Sequence, residues 1–328
     1  QEPFLPKRDV KLIADEDAGF SPEVQSAIRA AALEWLSKPD LDPAIPHPDE
    51  ALLLRMMRVC LGEKVAPEYA PMMMEQMGFT PLLRDIPPLQ PAKGEQTRPV
   101  IIAGAGVCGI ALGRFLLEQG INFRIIEKNP EVGGTWWENT YPGCGVDTPN
   151  HAYSYSFGPR QRWRRFFSPR EDIQDYLQKQ ATDAGIYRHV SFNTTIERAD
   201  WDEASDSWLI QTRSDAGSET IEALALVSAV GHFNTASIPK IPGAEEFDGP
   251  IFHSSRWPKD LSLKDKRVAI IGTGASAMQI VPTVADQVKQ LTIFQRSPQW
   301  ARPIPRYHED ITATSQWLLE NAPFYAEW

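Results

Sequence analysis

The sequence predicts an α/β protein with two strand–glycine turn–helix–strand units in tandem. A β-meander is inserted in the first unit, and a helical region precedes both. Three observations predict this. A short apolar run, Val100–Ala103, ends in Gly104-Ala105-Gly106-Val107-Cys108-Gly109 and is followed by an apolar helix and a second run, Phe123–Glu127. The same order returns at Arg267–Ile271, Gly272–Ala277 and Leu291–Phe294. Before residue 81 the apolar residues instead recur at three- and four-residue spacing, the period of a helix. Strand, helix and strand within about 30 residues make a βαβ unit, which requires a parallel sheet.

Each element has a local signal. Ser21-Pro22-Glu23 is a cap, a proline at the first helical position and an acid in the first turn, so a helix runs over Val24–Leu36. Pro48-Asp49-Glu50 opens a second helix that Gly62 closes, and Pro67 opens a third that Gly78 closes. Met72–Met74 and Met77 read as core or interface filler in preference to sulfur ligands, because methionine packs adaptably. Residues 81–99 hold five prolines and no sustained period, and read as a linker. Ile110–Gln119 is an apolar helix ended by Gly120, and Ser168–Asp172 opens another helix. Val190–Val230 alternates in short strands with turns at Glu203–Ser207 and Ser214–Ser218, a meander before the strand Ala223–Val230. Ser276–Val284 is the helix of the second βαβ unit, and Ser315–Tyr325 reads as the start of a further helical insertion. The expected domains are 1–80, helical; 81–99, linker; 100–240, first nucleotide domain; 241–262, connecting segment; and 263–328, the start of a second nucleotide domain.

Composition narrows the function. A chain of 328 residues is about twice the roughly 150 of a typical domain. Its 42% hydrophobic and 23% charged residues suit a globular chain and not a disordered one. With 33 basic and 43 acidic residues the net charge is −10, which argues against nucleic-acid or anionic-membrane partners. No uncharged apolar run reaches the ~18 residues of a membrane span, and Gln1–Glu16 has no signal-peptide core. Cys60, Cys108 and Cys144 form no C-x-x-C pair. That excludes a disulfide scaffold, a zinc finger and a redox dithiol, and suits the cytoplasm; no metal site is expected.

The glycine turns carry the chemistry. In the first, Gly104 permits the tight turn, Gly106 lets the backbone approach a pyrophosphate, and Gly109 lets helix and strand pack closely. The helix start offers amide hydrogens and a positive dipole to the phosphates. Glu127, 23 residues after Gly104, stands where a carboxylate accepts hydrogen bonds from ribose hydroxyls. The second turn, Gly272-Thr273-Gly274-Ala275-Ser276-Ala277, has alanine in the third slot. The position matching the acid is Gln295, followed by Arg296 and Ser297. A carboxylate there would repel a 2′-phosphate, and a guanidinium beside a hydroxyl would bind one. The alternative is that Arg296 simply faces solvent. Two Rossmann-like sites, one tipped by an acid and one by an arginine, imply FAD followed by NADPH, the cofactors of a flavoprotein that takes hydride from a nicotinamide.

Between the two turns lies Phe247-Asp248-Gly249-Pro250-Ile251-Phe252-His253-Ser254-Ser255-Arg256-Trp257-Pro258. This F-x-G-x-x-x-H-x-x-x-W-P pattern resembles the fingerprint of the type I Baeyer–Villiger monooxygenases. Other segments are similar to that family over roughly Pro99–Trp300. Gly133-Gly134-Thr135-Trp136-Trp137-Glu138-Asn139-Thr140-Tyr141-Pro142-Gly143 resembles its flavin-contacting segment, although Glu138 stands where the family often has an aromatic or other large residue. Gln295-Arg296-Ser297-Pro298 resembles its phosphate-binding turn. The resemblance implies cofactor contacts at Gly134, Thr135, Trp136, Tyr153, Ile196 and Gln279. It implies that Asp147 orients an active-site arginine beside the flavin. For His253 it implies a part in the cycle, as an interdomain hydrogen-bonding residue in preference to a proton shuttle. Cys144 reads as a passive small residue.

The helical start and proline-rich linker are similar in arrangement to the 4-hydroxyacetophenone monooxygenase subgroup, which implies a homodimer formed through the helices. The implied reaction uses O₂ and NADPH to insert one oxygen beside a ketone carbonyl, aryl or otherwise apolar, giving an ester or lactone. An N- or S-oxidising flavin monooxygenase is the nearest alternative, and Trp257-Pro258 argues against it. A disulfide reductase lacks its paired cysteine. A non-catalytic oligomerising module also remains open. About 30 residues follow Arg296, fewer than the family's second nucleotide domain needs, so that domain reads as incomplete. No matching active-site arginine can be placed before Trp328.

Overall fold

The computed structural model describes residues 3–12, 15, 17, 19–38, 47–80, 98–157, 161–301, 303–322 and 325–326. The proline-rich stretch 81–97 lies outside the described residues. The chain forms two compact units, Gln1–Ile86 with Ala301–Trp328, and Pro87–Trp300.

In the first unit, α1 (Pro22–Leu36) begins where Ser21 Oγ accepts from the Val24 amide, and none of its residues is buried. Helix α2 (Glu50–Leu61) is capped by Asp49, which accepts from the Leu52 amide at 2.7 Å, and ends at the left-handed Gly62. Helix α3 is Tyr69–Gln76. Leu53, Met57, Met77 and Phe79 make its core, with Met73 and Met74 packed against them. Three of the four clustered methionines are thus packing residues, while Met72 is exposed.

The second unit starts with β1 (Val100–Ala103), α4 (Val107–Glu118) and β2 (Phe123–Ile126), the expected βαβ. Helix α4 begins three residues before the apolar stretch Ile110–Gln119, because the glycine turn itself makes its first turn. A one-turn helix, α5 (Thr135–Glu138), and the longer α6 (Arg170–Asp183) follow. Strands β3 (Val190–Ser191), β4 (Thr195–Asp202), β5 (Ser207–Ser214), β6 (Gly217–Ala223) and β7 (Ala225–Ser228) complete the first domain. The sheet order is β3-β2-β1-β7, all parallel, and β4-β5-β6 is a separate antiparallel meander. This corrects the reading of Val190–Val230 as meander from its first residue. Val190 and Ser191 pair with Ile125 and Ile126 and belong to the parallel sheet.

Ile101 and Ile126 of the parallel sheet meet Ile210, Ile221 and Ala223 of the meander in one apolar cluster. Burying each such large side chain contributes about 1.5–3 kcal/mol, so the meander is fastened to the sheet that carries the first glycine turn. The second glycine turn sits between β8 (Arg267–Ile271) and α7 (Ala275–Val284), and β9 (Gln290–Phe294) pairs with β8 in parallel. Ile271 and Phe294 are 65% and 57% exposed, so no described element covers the ends of these strands. Helix α8 (Ala313–Asn321), capped by Thr312, lies in the segment 301–328. That segment belongs to the unit of Gln1–Ile86, and β8 and β9 belong to the unit Pro87–Trp300.

Candidate functional site

The two glycine turns are built alike. Gly104 and Gly272 have φ of 104° and 102°, a region that a residue with a Cβ rarely enters. The Gly104 amide donates to the Ile126 carbonyl at 2.8 Å, and the Gly272 amide to the Phe294 carbonyl at 2.9 Å. Each bond ties the turn to the end of the neighbouring parallel strand. The first intrahelical bonds run from Ile110 to Gly106 and from Met278 to Gly274. The amides of Val107, Cys108 and Gly109, and those of Ala275, Ser276 and Ala277, precede those bonds and are left for an anion, with the positive end of the helix dipole behind them. A Cβ on Gly109 would lie 1.9 Å from the Gly104 carbonyl oxygen, so the close approach of helix and strand is real.

The turns differ at their tips. In the first, buried Glu127 reaches back: Oε2 accepts from the Ala105 amide at 2.7 Å, and Oε1 accepts from the Asn129 amide at 2.8 Å. Each oxygen keeps a lone pair for a ligand hydroxyl. In the second, Gln295 takes the same place and donates from Nε2 to Thr273 Oγ1 at 3.3 Å. Arg296 and Ser297 follow, exposed, and the Arg296 guanidinium has no partner among the described residues. A guanidinium can bind a phosphate through paired hydrogen bonds.

The segment around Gly134 closes on the first turn. The Gly133 amide donates to the Ala105 carbonyl at 3.0 Å, and a Cβ on Gly134 would lie 2.9 Å from Gly106 Cα. Trp136 is buried, and its indole Nε1 donates to Tyr153 Oη at 3.1 Å with the rings edge to face. Arg170 donates to the carbonyls of Trp136 and Trp137 at 2.5 and 3.2 Å and so caps the end of α5. No local pattern marked Arg170. Asp147 is exposed and has no partner among the described residues. Its loop is held by buried Asn150, whose Nδ2 donates to the Arg165 carbonyl at 2.8 Å and to Ser168 Oγ at 2.7 Å, and whose Oδ1 accepts from the Ser168 amide at 3.2 Å. His151 is half-buried, and burial pushes its pKa down, so it is neutral at neutral pH. Burial pushes the Cys144 thiol up against the opposing effects of Tyr141 and Arg170, which keeps it protonated and inert.

Three further residues expected at the site have protein contacts of their own. Gln279 spends both ends of its carboxamide on protein, with Oε1 accepting from Tyr141 Oη at 2.9 Å and Nε2 donating to the Gly145 carbonyl at 2.8 Å. It bridges the second turn's helix to the segment after α5. Ile196 packs its side chain against the apolar cluster of sheet and meander, beside the bulge in β4. Among the described residues His253 makes local bonds only: Nδ1 accepts from the Ser255 amide at 3.2 Å, lies 2.9 Å from Ser255 Oγ, and caps the turn Ser254–Arg256. Trp257 packs edge to face on Phe252 at 5.1 Å. Among the described residues no group of three or more potential ligands could hold a metal ion, and no helix is long and apolar enough to cross a membrane.

A family model described as flavin-binding monooxygenase-like matches residues 97–310, which take in both turns and all that lies between them. The chain belongs to the flavin-binding monooxygenase-like family. Among flavin-binding monooxygenase-like relatives, it is 39% identical to a monooxygenase, y4iD, of Sinorhizobium fredii over 338 residues, which cover 99% of this chain and 49% of that protein. It is 42% identical to a Baeyer–Villiger monooxygenase of Streptomyces coelicolor over 205 residues, 62% of this chain and 39% of that one. The solved structure of the enzyme OTEMO in complex with FAD and NADP aligns with a TM-score of 0.64 at 32% identity, over 69% of this chain and 44% of that one. The chain therefore spans half or less of the length of these flavin-binding monooxygenase-like proteins.

Proposed function

We propose that the chain forms the FAD-binding and NADPH-approach part of a Baeyer–Villiger monooxygenase that converts an apolar ketone, with O₂ and NADPH, to an ester or lactone. The observation that carries this reading is the pair of like-built turns with unlike tips, Glu127 on the first and Gln295-Arg296 on the second, joined by the segment Phe247–Pro258. The relatives named Baeyer–Villiger monooxygenase, and a structural neighbour solved with FAD and NADP, support it.

The residues present fit both dinucleotides. The free amides at the start of α4 and the glycine backbone of the first turn would hold the FAD pyrophosphate, and Glu127 the ribose. The amides at the start of α7 would hold the second pyrophosphate, with Arg296 and Ser297 on the 2′-phosphate. FAD, when bound, supplies the hydride acceptor and the group that activates oxygen. The chain's own part is to place and shield it. Gly133 and Gly134 bring α5 against the first turn, Trp136 and Tyr153 form a rigid wall with their single polar contact satisfied internally, and Asn150 sets the loop of Asp147. A carboxylate held there without a cation of its own would orient an arginine toward developing negative charge.

A homodimer formed through the N-terminal helices belongs to this proposal. Ile28, Leu33, Trp35 and Leu36 of α1 are all exposed, an apolar surface of the kind that marks association. A reducing cytoplasm also belongs to it, since all three cysteines are free. The test is purification, with FAD, of the full product of the gene that encodes this chain, followed by assay with NADPH and aryl ketones under air. The expected result is a yellow protein that yields ester and consumes NADPH in equal amounts. A colourless protein that FAD does not reconstitute refutes the cofactor reading. A yellow protein that oxidises amines or sulfides and leaves ketones untouched refutes the substrate class.

A further inference from the structure

We infer that Glu138 is a positioning residue that seats the Phe247–Pro258 segment on the flavin-side domain through Arg256, an inference that rests on the monooxygenase reading for its kinetic consequence. Glu138 is the last residue of α5, and its side chain is only 10% exposed. Its two oxygens face different bodies. Oε1 accepts from Lys128 Nζ at 2.8 Å and from Asn129 Nδ2 at 3.0 Å, both directly after Glu127. Oε2 faces Arg256 Nη1 at 3.6 Å. One oxygen therefore ties α5 to the end of the first βαβ unit, and the other is left for the fingerprint segment.

The arginine has a second anchor in the same place. Its Nη2 donates to the Asn234 carbonyl at 3.3 Å, and Lys128 Nζ donates to that same carbonyl at 3.4 Å. Carboxylate and carbonyl together form a two-point seat, which a planar guanidinium fork fills better than a lysine would. Among the described residues, Arg256 is the one member of 247–258 whose side chain reaches the flavin-side domain by hydrogen bond or ion pair. Its backbone closes the turn that His253 caps, through the bond from the Arg256 amide to the His253 carbonyl at 2.8 Å, and Trp257 follows at once. Whatever holds Arg256 thus sets the position of the capped turn and of Trp257.

The charge state supports the geometry. Burial opposes ionisation of Glu138, but the hydrogen bonds from Lys128 and Asn129 and the charges of Lys128 and Arg256 outweigh it and hold the carboxyl below its usual range. Glu138 also accounts for Lys128. That lysine stands in the first unit where Arg296 stands in the second, and pairing with Glu138 removes it as a phosphate ligand. An aromatic at 138 would leave both Lys128 and Arg256 without a carboxylate.

The test uses the FAD-loaded full chain and the variants E138Q, R256Q, R256K and E138Q/R256Q. Backbone hydrogen exchange reads the segment. In E138Q and in R256Q, exchange over residues 252–258 is expected to rise about fivefold while β1, β2 and α4 exchange as in the wild type, and the double variant should show no more than either single one. R256K, which keeps the charge and loses the fork, should fall between. The second readout is the rate of flavin reduction by NADPH. The rate at saturation is expected to fall about tenfold, with the NADPH concentration for half-saturation changed less than twofold, since positioning acts on the reacting geometry. Wild-type exchange in both single variants overturns the inference, as does an additive double variant. The exchange readout needs no turnover, so failure of the monooxygenase reading would appear separately, as absent reduction in the wild type. Should E138Q not fold, R256Q on its half-exposed side chain decides the matter.

Discussion

Replacing Gly109 with alanine tests whether the first turn is a close-packed anion cradle. The backbone at 109 is ordinary helix, and alanine is the better helix former by about 1 kcal/mol, so local propensity predicts a more stable protein. The tertiary contact predicts the reverse. The new Cβ would lie 1.9 Å from the Gly104 carbonyl oxygen and 3.0 Å from its carbon, against 3.4 Å at the edge of ordinary contact. Those are backbone atoms fixed by the bond from the Gly104 amide to Ile126, and no rotamer change relieves the clash. Helix and strand must separate by more than 1 Å. Overpacking of this kind costs about 1–3 kcal/mol, and the rigid neighbour puts the cost at the upper end, leaving a net loss of about 2 kcal/mol after the propensity gain. For a unit of this size that lowers the melting temperature by about 4–8 °C. The same shift moves the free amides of α4 away from the phosphates, and FAD should bind at least about 100-fold more weakly. Thermal unfolding with and without FAD, and an FAD titration followed by flavin fluorescence, measure both effects. Ala277 stands in the equivalent slot of the second turn, so A277G is the control and should change FAD affinity little. A G109A protein as stable as the wild type, with FAD affinity within twofold, would refute the packing argument.

The remaining predictions concern the second turn, the thiols and acid stability. Gly274 has ordinary φ and nothing within 4 Å of an added Cβ, so G274A should leave the melting temperature within about 2 °C and yet weaken NADPH binding measured by titration. R296A should raise the dissociation constant for NADPH about 10- to 100-fold and leave that for NADH unchanged, since a charge-assisted bond to the 2′-phosphate is lost; equal effects on the two would show that Arg296 is only a surface charge. Cys60 and Cys108 are exposed and Cys144 is buried, so two thiols should react with a disulfide reagent in the native protein, the third only on unfolding, and bound FAD should protect Cys108. The Glu138 carboxyl titrates below the ordinary glutamate range, so its pairs contribute their full stability above that range, and the contribution is lost as pH falls through the lower folded value. Urea midpoints at pH 7 and pH 4 should therefore differ more in the wild type than in E138Q.

The parts of the fold legible in the sequence were those whose cause is local. Ser21, Asp49 and the left-handed glycines 62 and 78 announce helix ends because caps and αL positions restrict residue type at that position alone. The strands beside both glycine turns were legible because apolar run, turn and helix fall in order. Strand β3 was not, since two residues carry no period, and its assignment depends on Ile125 and Ile126 lying alongside. Helix α5 is a single turn held by Arg170, a residue more than 30 positions away. The carboxamide of Gln279 meets Tyr141 and Gly145, 138 and 134 positions earlier in the chain, and no local pattern announces those partners. Polar partnerships at such separation are set by which surfaces meet, and side-chain type alone does not encode them.

The two turns separate scaffold from selectivity. Both use a left-handed glycine, one amide bond to the neighbouring strand and an open helix start, so neither feature distinguishes one dinucleotide from another. What differs lies at the end of the second strand of each unit. Glu127 accepts from the turn's own backbone and keeps lone pairs for hydroxyls, and its charge would disfavour a phosphate there. Gln295 is neutral and occupied with Thr273, which leaves Arg296 as the group proposed to meet the ligand. The cation at the corresponding place in the first unit, Lys128, would blur that distinction if it were free. Glu138 takes it up, at 2.8 Å, and turns its other oxygen to Arg256. In the proposed function, one largely covered carboxylate would thus keep the first site selective for a nucleotide without a 2′-phosphate and hold the segment that leads to the second site. That double use gives a physical reason for an acid at this position.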